Sequence, residues 1–110
     1  MRLPQGDRAF LDQRKIEDYC LDLTHPRGRH KARGFRDALG VGAADAAWLR
    51  DSLLKAAREG DAARIFSNIW GGHWRIDAAM TRSGKCAIVR TIWIIRTGEN
   101  APRFATCWVL

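Results

Sequence analysis

The chain has few cysteines, few prolines, little negative charge and no long apolar run. Cys20, Cys86 and Cys107 are odd in number and widely spaced, each with an apolar residue beside it. They read as small buried hydrophobes in a reducing compartment, not as a disulfide framework or a thiol nucleophile. No cysteine pair has zinc-finger spacing, the acidic residues are scattered, and His25 and His30 lie five apart, not the four that puts two imidazoles on one helical face. The expectation is therefore no metal and no cofactor. No stretch approaches the roughly 20 apolar residues of a membrane span, and Met1 to Phe10 lacks the apolar core of a secretion signal. The expected acting compartment is the cytoplasm, with no membrane partner. Gly40-Val41-Gly42 and Gly71-Gly72 lack the lysine and hydroxyl of a P-loop and the full dinucleotide fingerprint, so they read as helix ends and turns. There is no internal repeat.

What the chain does have is positive charge. Its 110 residues carry 19 Lys and Arg against 12 Asp and Glu, a net charge of +7, and arginine outnumbers lysine 15 to 4. A small basic domain points to a polyanionic partner, most often nucleic acid. Arginine forks pair with phosphate and stack on bases, although a GC-rich genome produces the same bias. With 46% apolar residues the length fits one domain over 1–110. The densest chemistry lies in Thr24-His25-Pro26-Arg27-Gly28-Arg29-His30-Lys31-Ala32-Arg33-Gly34-Phe35. Gly28 after Pro26 and Arg27 gives the backbone a position that tolerates positive φ, so a tight turn before a helix resumes is the natural reading. Arg27, Arg29, His30, Lys31 and Arg33 then gather at a helix N-terminus, where free amides and the dipole favour a phosphate. A solvated basic loop is the plain alternative, and the two histidines argue against it because histidine titrates near neutral pH.

In chain order, Met1 to Leu11 reads as an extended arm pinned by Leu3 and Phe10. Asp12 caps a helix with Ile16, Tyr19, Cys20 and Leu23 on one face. A second helix carries Ala32, Phe35, Ala38 and Leu39, with Gly40 as its stop and Gly34 costing about 1 kcal/mol in its middle. That cost suggests close packing or a bound group at Gly34. A third begins at Asp45 or a neighbour, carries Trp48, Leu49, Ser52, Leu53, Ala56 and Ala57 on its inner side, and ends before Gly60. Asp61 to Gly72 fits a helical turn or a short strand, and the stripe Ile65, Phe66, Ile69 and Trp70 favours the turn. From His73 the period is two, Arg82-Ser83-Gly84-Lys85 is a hairpin, and Cys86 to Arg96 is apolar on both faces, as in a strand covered on both sides. Arg103 to Leu110 supplies another strand. The expected fold is α+β, about three N-terminal helices packed on one face of a C-terminal antiparallel sheet of three to four strands.

Arg90 and Thr91 interrupt the apolar strand on opposite faces. For Arg90, a salt bridge to Asp77 or Glu99 stands beside a catalytic role, since an unpaired charge there is costly. For Thr106 a plain sheet residue is the ordinary reading. Histidine, lysine, arginine and hydroxyl groups on a basic surface can cleave RNA: imidazole removes the 2′-OH proton, and Lys and Arg stabilise the phosphorane. The same residues also fit a noncatalytic nucleic-acid-binding module in which Arg27, Arg29, Arg33 and Trp74 hold backbone and bases. An interaction domain of a phage or secretion apparatus, facing an acidic partner, is a third reading.

The string from Asp22 to Phe35 with Ala38-Leu39-Gly40, and the run Val89-Arg90-Thr91-Ile92-Trp93-Ile94-Ile95-Arg96-Thr97-Gly98-Glu99-Asn100-Ala101-Pro102-Arg103 with Ala105-Thr106-Cys107-Trp108-Val109, resemble a small bacterial domain family. Its relatives include the C-terminal toxin domains of contact-dependent growth inhibition proteins. Those domains look like members of the barnase-like (BECR) ribonuclease superfold, several of which cut tRNA. The resemblance implies a metal-independent endoribonuclease with His25, Lys31, Arg90, Thr91 and Thr106 as matching positions, and an acidic immunity or antitoxin partner. It also implies delivery to a target cell. The sequence departs from the pattern in adding Arg27, Arg29 and His30 where glycine or polar residues are common.

Overall fold

Asp12 opens the first helix as expected: in the computed structural model, which describes residues 1–110, its carboxylate accepts from the Arg14 N–H at 3.0 Å. Helix α1 (Gln13–Lys15) then widens into a π-turn (Ile16–Cys20), closed by the Leu21 N–H on the Ile16 carbonyl at 2.9 Å. This i to i+5 spacing changes the phase of the buried stripe. Ile16, Cys20 and Leu21 are buried, whereas Leu23, expected on the same face, is exposed.

Helix α2 (Arg29–Leu39) buries Ala32, Phe35 and Leu39 and ends on Gly40 at φ 65°, the left-handed stop expected there. Helix α3 (Ala46–Glu59) follows Asp45 and buries Ala46, Leu49, Leu53, Ala56 and Ala57. In the N-terminal arm Leu3 is buried but the Phe10 ring is not. Phe10 is fixed instead by its backbone, which donates to the Pro102 carbonyl at 2.9 Å and accepts from the Phe104 N–H at 2.8 Å.

The helical reading of Asp61 to Gly72 is overturned. Strand β1 (Ala62–Asn68) pairs antiparallel with β2 (Gly71–Arg82), and a register shift between Arg64 and Phe66 breaks the period-two pattern that would have announced the strand. The Asn68 side-chain oxygen accepts from the Trp70 and Gly71 N–H groups at 2.9 and 3.2 Å and makes the turn. Strands β3 (Lys85–Arg96) and β4 (Arg103–Val109) complete an antiparallel sheet in the order β1-β2-β3-β4. The β2–β3 hairpin turns at Ser83 and Gly84, both at positive φ.

One face of this sheet is buried, with Trp74, Ile76, Met80, Val89, Thr91, Trp93, Phe104 and Cys107 on it, and these residues other than Thr91 join buried helix residues in one 21-residue apolar cluster. The expectation that β3 is covered on both faces is wrong. Its other face, Ile88, Arg90, Ile92 and Ile94, is half-buried to exposed. Cys86 lies there too and is exposed, which corrects the expectation of burial for that cysteine; Cys20 and Cys107 are buried as expected.

Candidate functional site

The turn before α2 is built around His25. Asp22 accepts from the Thr24 N–H and hydroxyl at 2.9 and 2.7 Å and holds the chain in a bend. These bonds, the hydroxyl's first, keep the Asp22 carboxyl below its usual range. The His25 Nδ1 then accepts from the Arg27 and Gly28 N–H groups at 3.0 and 2.9 Å, and its carbonyl accepts from the Arg29 N–H at 3.0 Å. Three of the amides expected to attract a phosphate are therefore satisfied from within. An Nδ1 that accepts carries no proton, so the ring hydrogen of the neutral imidazole sits on Nε2 and its free edge donates. His25 is a turn-forming residue in this geometry, not a free base.

Gly28 is required here for a reason other than its tolerance of positive φ. Its φ is −84°. A Cβ at this position would fall 2.9 Å from the Tyr19 carbonyl carbon and 3.3 Å from the Tyr19 Cα, and closer still to the carbonyl oxygen. The turn thus lies directly on the backbone of the π-turn. The Tyr19 ring meets His25 edge-on, with centroids 4.8 Å apart.

Lys31, in the first turn of α2, points to the same place. Its Nζ donates to the Thr106 hydroxyl at 2.8 Å, lies 3.5 Å from the Tyr19 hydroxyl, and sits 4.8 Å and 5.4 Å from the ring centroids of Tyr19 and Trp108. No carboxylate pairs with it in any of the chain's ion pairs. A half-buried ammonium between two rings and a hydroxyl, without an anion, is a place for one.

The remaining predicted residues divide. Arg90 lies on the open sheet face, directly across from Trp108 in the β3–β4 register. Its guanidinium holds Asp77 at 2.9 and 3.0 Å, and this hydrogen-bonded pair lowers the Asp77 carboxyl and raises Arg90. The salt-bridge reading of Arg90 therefore holds in this structure. Thr91 is on the other face, fully buried, donating to the Ile76 carbonyl at 2.8 Å and accepting from the Trp93 indole N–H at 2.9 Å. Strand alternation separates it from Lys31, Thr106 and Arg90. Trp74 is buried on that inner face as well and has no free ring to offer a base. Arg27, Arg29, His30 and Arg33 are exposed around the start of α2, and none of the arginines is ion-paired. His30 shares with Lys31, Gly34, Trp108 and Val109 an open groove of about 470 Å³ between α2 and β4.

Two residues that sequence reasoning passed over belong to this site. Tyr19 carried a signal as the chain's one tyrosine, at a helical stripe position that left its hydroxyl needing a polar partner. Trp108 is two residues from Thr106, hence on the same face of β4. Outside this site, on β2, His73 stacks on Phe66 with centroids 4.1 Å apart and has a buried Nδ1 without a partner, on the open sheet face opposite Ile94. No three histidine, cysteine or acidic side chains converge anywhere in the chain, and no helix is long and apolar enough to cross a membrane.

The fold is similar to that of a chain in the contact-dependent growth inhibition toxin–immunity protein complex from Klebsiella pneumoniae 342, with a TM-score of 0.69 over 91% of this chain and 98% of that one, at 16% identity. No curated protein matches the sequence. The model of one family spans residues 2–110, nearly the whole chain from the arm through β4, and the protein belongs to that family, the domain of unknown function DUF6883.

Proposed function

We propose that the chain is a toxin-like endoribonuclease domain of barnase-like build, its helices packed on one face of the sheet and its open face receiving RNA, with tRNA among the substrates. The observation that carries this reading is the unpaired Lys31 ammonium, seated between Tyr19 and Trp108 against Thr106. A phosphodiester brought there meets a localised positive charge and a hydroxyl, with Arg90 across from Trp108 on the same face. His30, exposed on the groove that Lys31 also lines, is the imidazole free to take the 2′-OH proton. The 2′-oxygen bonds to phosphorus, the P–O5′ bond breaks, and the 5′-oxygen leaves with a proton from solvent. The products are a 2′,3′-cyclic phosphate and a 5′-hydroxyl. Arg27, Arg29 and Arg33 hold neighbouring phosphates. An acidic immunity or antitoxin protein is the expected partner, and cytoplasmic RNA of the cell that the domain reaches is the expected target.

The pairing of Arg90 with Asp77 and the commitment of the His25 Nδ1 to the turn favour a second reading, binding of RNA without cleavage. One experiment separates the two. The purified protein and its Lys31→Ala, His30→Ala and His25→Ala variants are incubated with total bacterial RNA in EDTA and the fragments are run on a denaturing gel. Cleavage predicts discrete fragments with cyclic phosphate ends from the wild type, and a loss of about 10²- to 10³-fold for Lys31→Ala. Intact RNA that co-migrates with folded wild-type protein on a native gel refutes the nuclease and leaves the binding module.

A further inference from the structure

The groove between α2 and β4 holds a glycine that the fold does not explain. Gly34 lies in the middle of α2 with an ordinary helical φ, and a Cβ there would meet only the Val109 Cβ, at 3.7 Å, an ordinary van der Waals contact. Neither backbone strain nor close packing calls for glycine, which is unfavourable in a helix interior. What its missing side chain does is keep the groove open. Gly34 lies one turn after His30 and Lys31, so the three share a helix face, and Trp108 and Val109 form the opposite wall. The volume, about 470 Å³, falls within the ~300–1,000 Å³ of small-ligand sites. It is more than an ion needs and suits a base with its ribose.

We infer that this groove is a nucleobase subsite: a base adjacent to the reacting phosphate stacks on Trp108 and packs against the bare backbone of α2 at Gly34, while Lys31 takes its phosphate. The inference rests on the RNA reading above and adds to it the residues that recognise a base. Stacking on an aromatic ring is sequence-tolerant, so Trp108 provides affinity.

The test uses the full chain and a short fluorescein-labelled oligoribonucleotide, alongside an abasic ribose-phosphate oligomer of equal length, with 2′-O-methyl groups to prevent cutting. Gly34→Ala and Gly34→Leu fill the groove in steps without touching a charge, and Ala47→Leu on the exposed side of α3 is the control. Gly34→Ala should raise Tm by about 2–6 °C, since it relieves an unfavourable helix residue, while weakening binding of the base-containing oligomer. Gly34→Leu should weaken it about tenfold, to the affinity of the abasic oligomer, whose binding is unchanged. Lys31→Ala should weaken both oligomers. If folded Gly34→Leu binds the base-containing oligomer as tightly as the wild type while Lys31→Ala weakens both, the groove is empty in the complex and the inference is overturned with the RNA reading intact. If the wild type binds neither oligomer, the RNA reading falls and the inference with it.

Discussion

Replacing Gly28 tests the close contact on which the Tyr19, His25 and Lys31 cluster is built. A glycine following Pro-Arg suggests a left-handed turn, but the observed φ of −84° suits any L residue, so the need for glycine lies in space. A Cβ would lie 2.9 Å from the Tyr19 carbonyl carbon and 3.3 Å from its Cα, both backbone atoms of the π-turn that cannot swing aside as a side-chain tip would. Overpacking of this kind costs about 1–3 kcal/mol, which for a domain of this size lowers Tm by about 5–20 °C. The two explanations part on asparagine. In a left-handed turn asparagine is tolerated and alanine is not, whereas a steric limit penalises every Cβ equally. Thermal unfolding followed by circular dichroism should therefore show Gly28→Ala and Gly28→Asn destabilised alike, with Gly42→Ala, which has open space around it, within about 2 °C of wild type. An unchanged Gly28→Ala, or a Gly28→Asn much milder than Gly28→Ala, would refute the contact.

Three further outcomes follow from the same geometry. Thr91→Val should cost about 1–3 kcal/mol in urea unfolding by leaving the buried Trp93 indole N–H without an acceptor, yet leave cleavage per folded molecule unchanged; a selective loss of activity would return Thr91 to the reacting centre. A thiol reagent should label one cysteine per native chain, Cys86, and all three in denaturant, and rapid native labelling of Cys20 or Cys107 would contradict their burial. The Asp77 carboxyl is lowered by its hydrogen bond to Arg90, so the pair's contribution is present in full above the unfolded value near 3.9 and is lost as pH falls through the depressed folded value. The stability difference between wild type and Asp77→Asn should accordingly be flat above about pH 5 and close below about pH 4, and a gap that closes only above neutrality would be inconsistent with this pairing.

Local signals made most of the helical half readable. Asp12, Asp45, Gly40 and the spacing of apolar residues in α2 and α3 act within a few residues of where they stand, and the elements begin and end where those residues place them. Errors arise where a neighbour in space sets the outcome. The π-turn shifts Leu23 out of the core and puts Tyr19 beneath the His25 turn, and no residue of that stretch announces an i to i+5 bond. The bulge between Arg64 and Phe66 hides a strand inside what looks like a helical stripe. The apolar even-numbered side of β3 reads as buried because isoleucines at 88, 92 and 94 are what a doubly covered strand would carry. It is open because pairing with β2 and β4 uses up its edges while the helices contribute to the apolar cluster on the other face. For the site, Lys31 and Thr106 were legible as candidates and do meet. That they meet across 75 residues, and that Arg90 is taken by Asp77, are facts of register.

Register also explains why the basic turn and the site are separate things. Arg27, Arg29 and Arg33 are exposed and unpaired, so their attraction for a polyanion acts through water, is long in range and is screened by salt. Lys31 lies between Arg29 and Arg33 and differs in what matters for chemistry: it is half-buried, its ammonium is flanked by two rings, and its hydrogen bond to Thr106 fixes its direction. A charge so placed has lost part of its hydration and has gained only a neutral hydroxyl and two aromatic faces in return, an arrangement that an incoming phosphate completes. His25 and Gly28 are what make this arrangement affordable to the chain, because they close the amides of the turn from within and set α2 down on Tyr19 at van der Waals distance. On the proposed ribonuclease reading, the arginine cluster that dominates the sequence recruits an anion, and the less conspicuous lysine within it is the group placed to act on one.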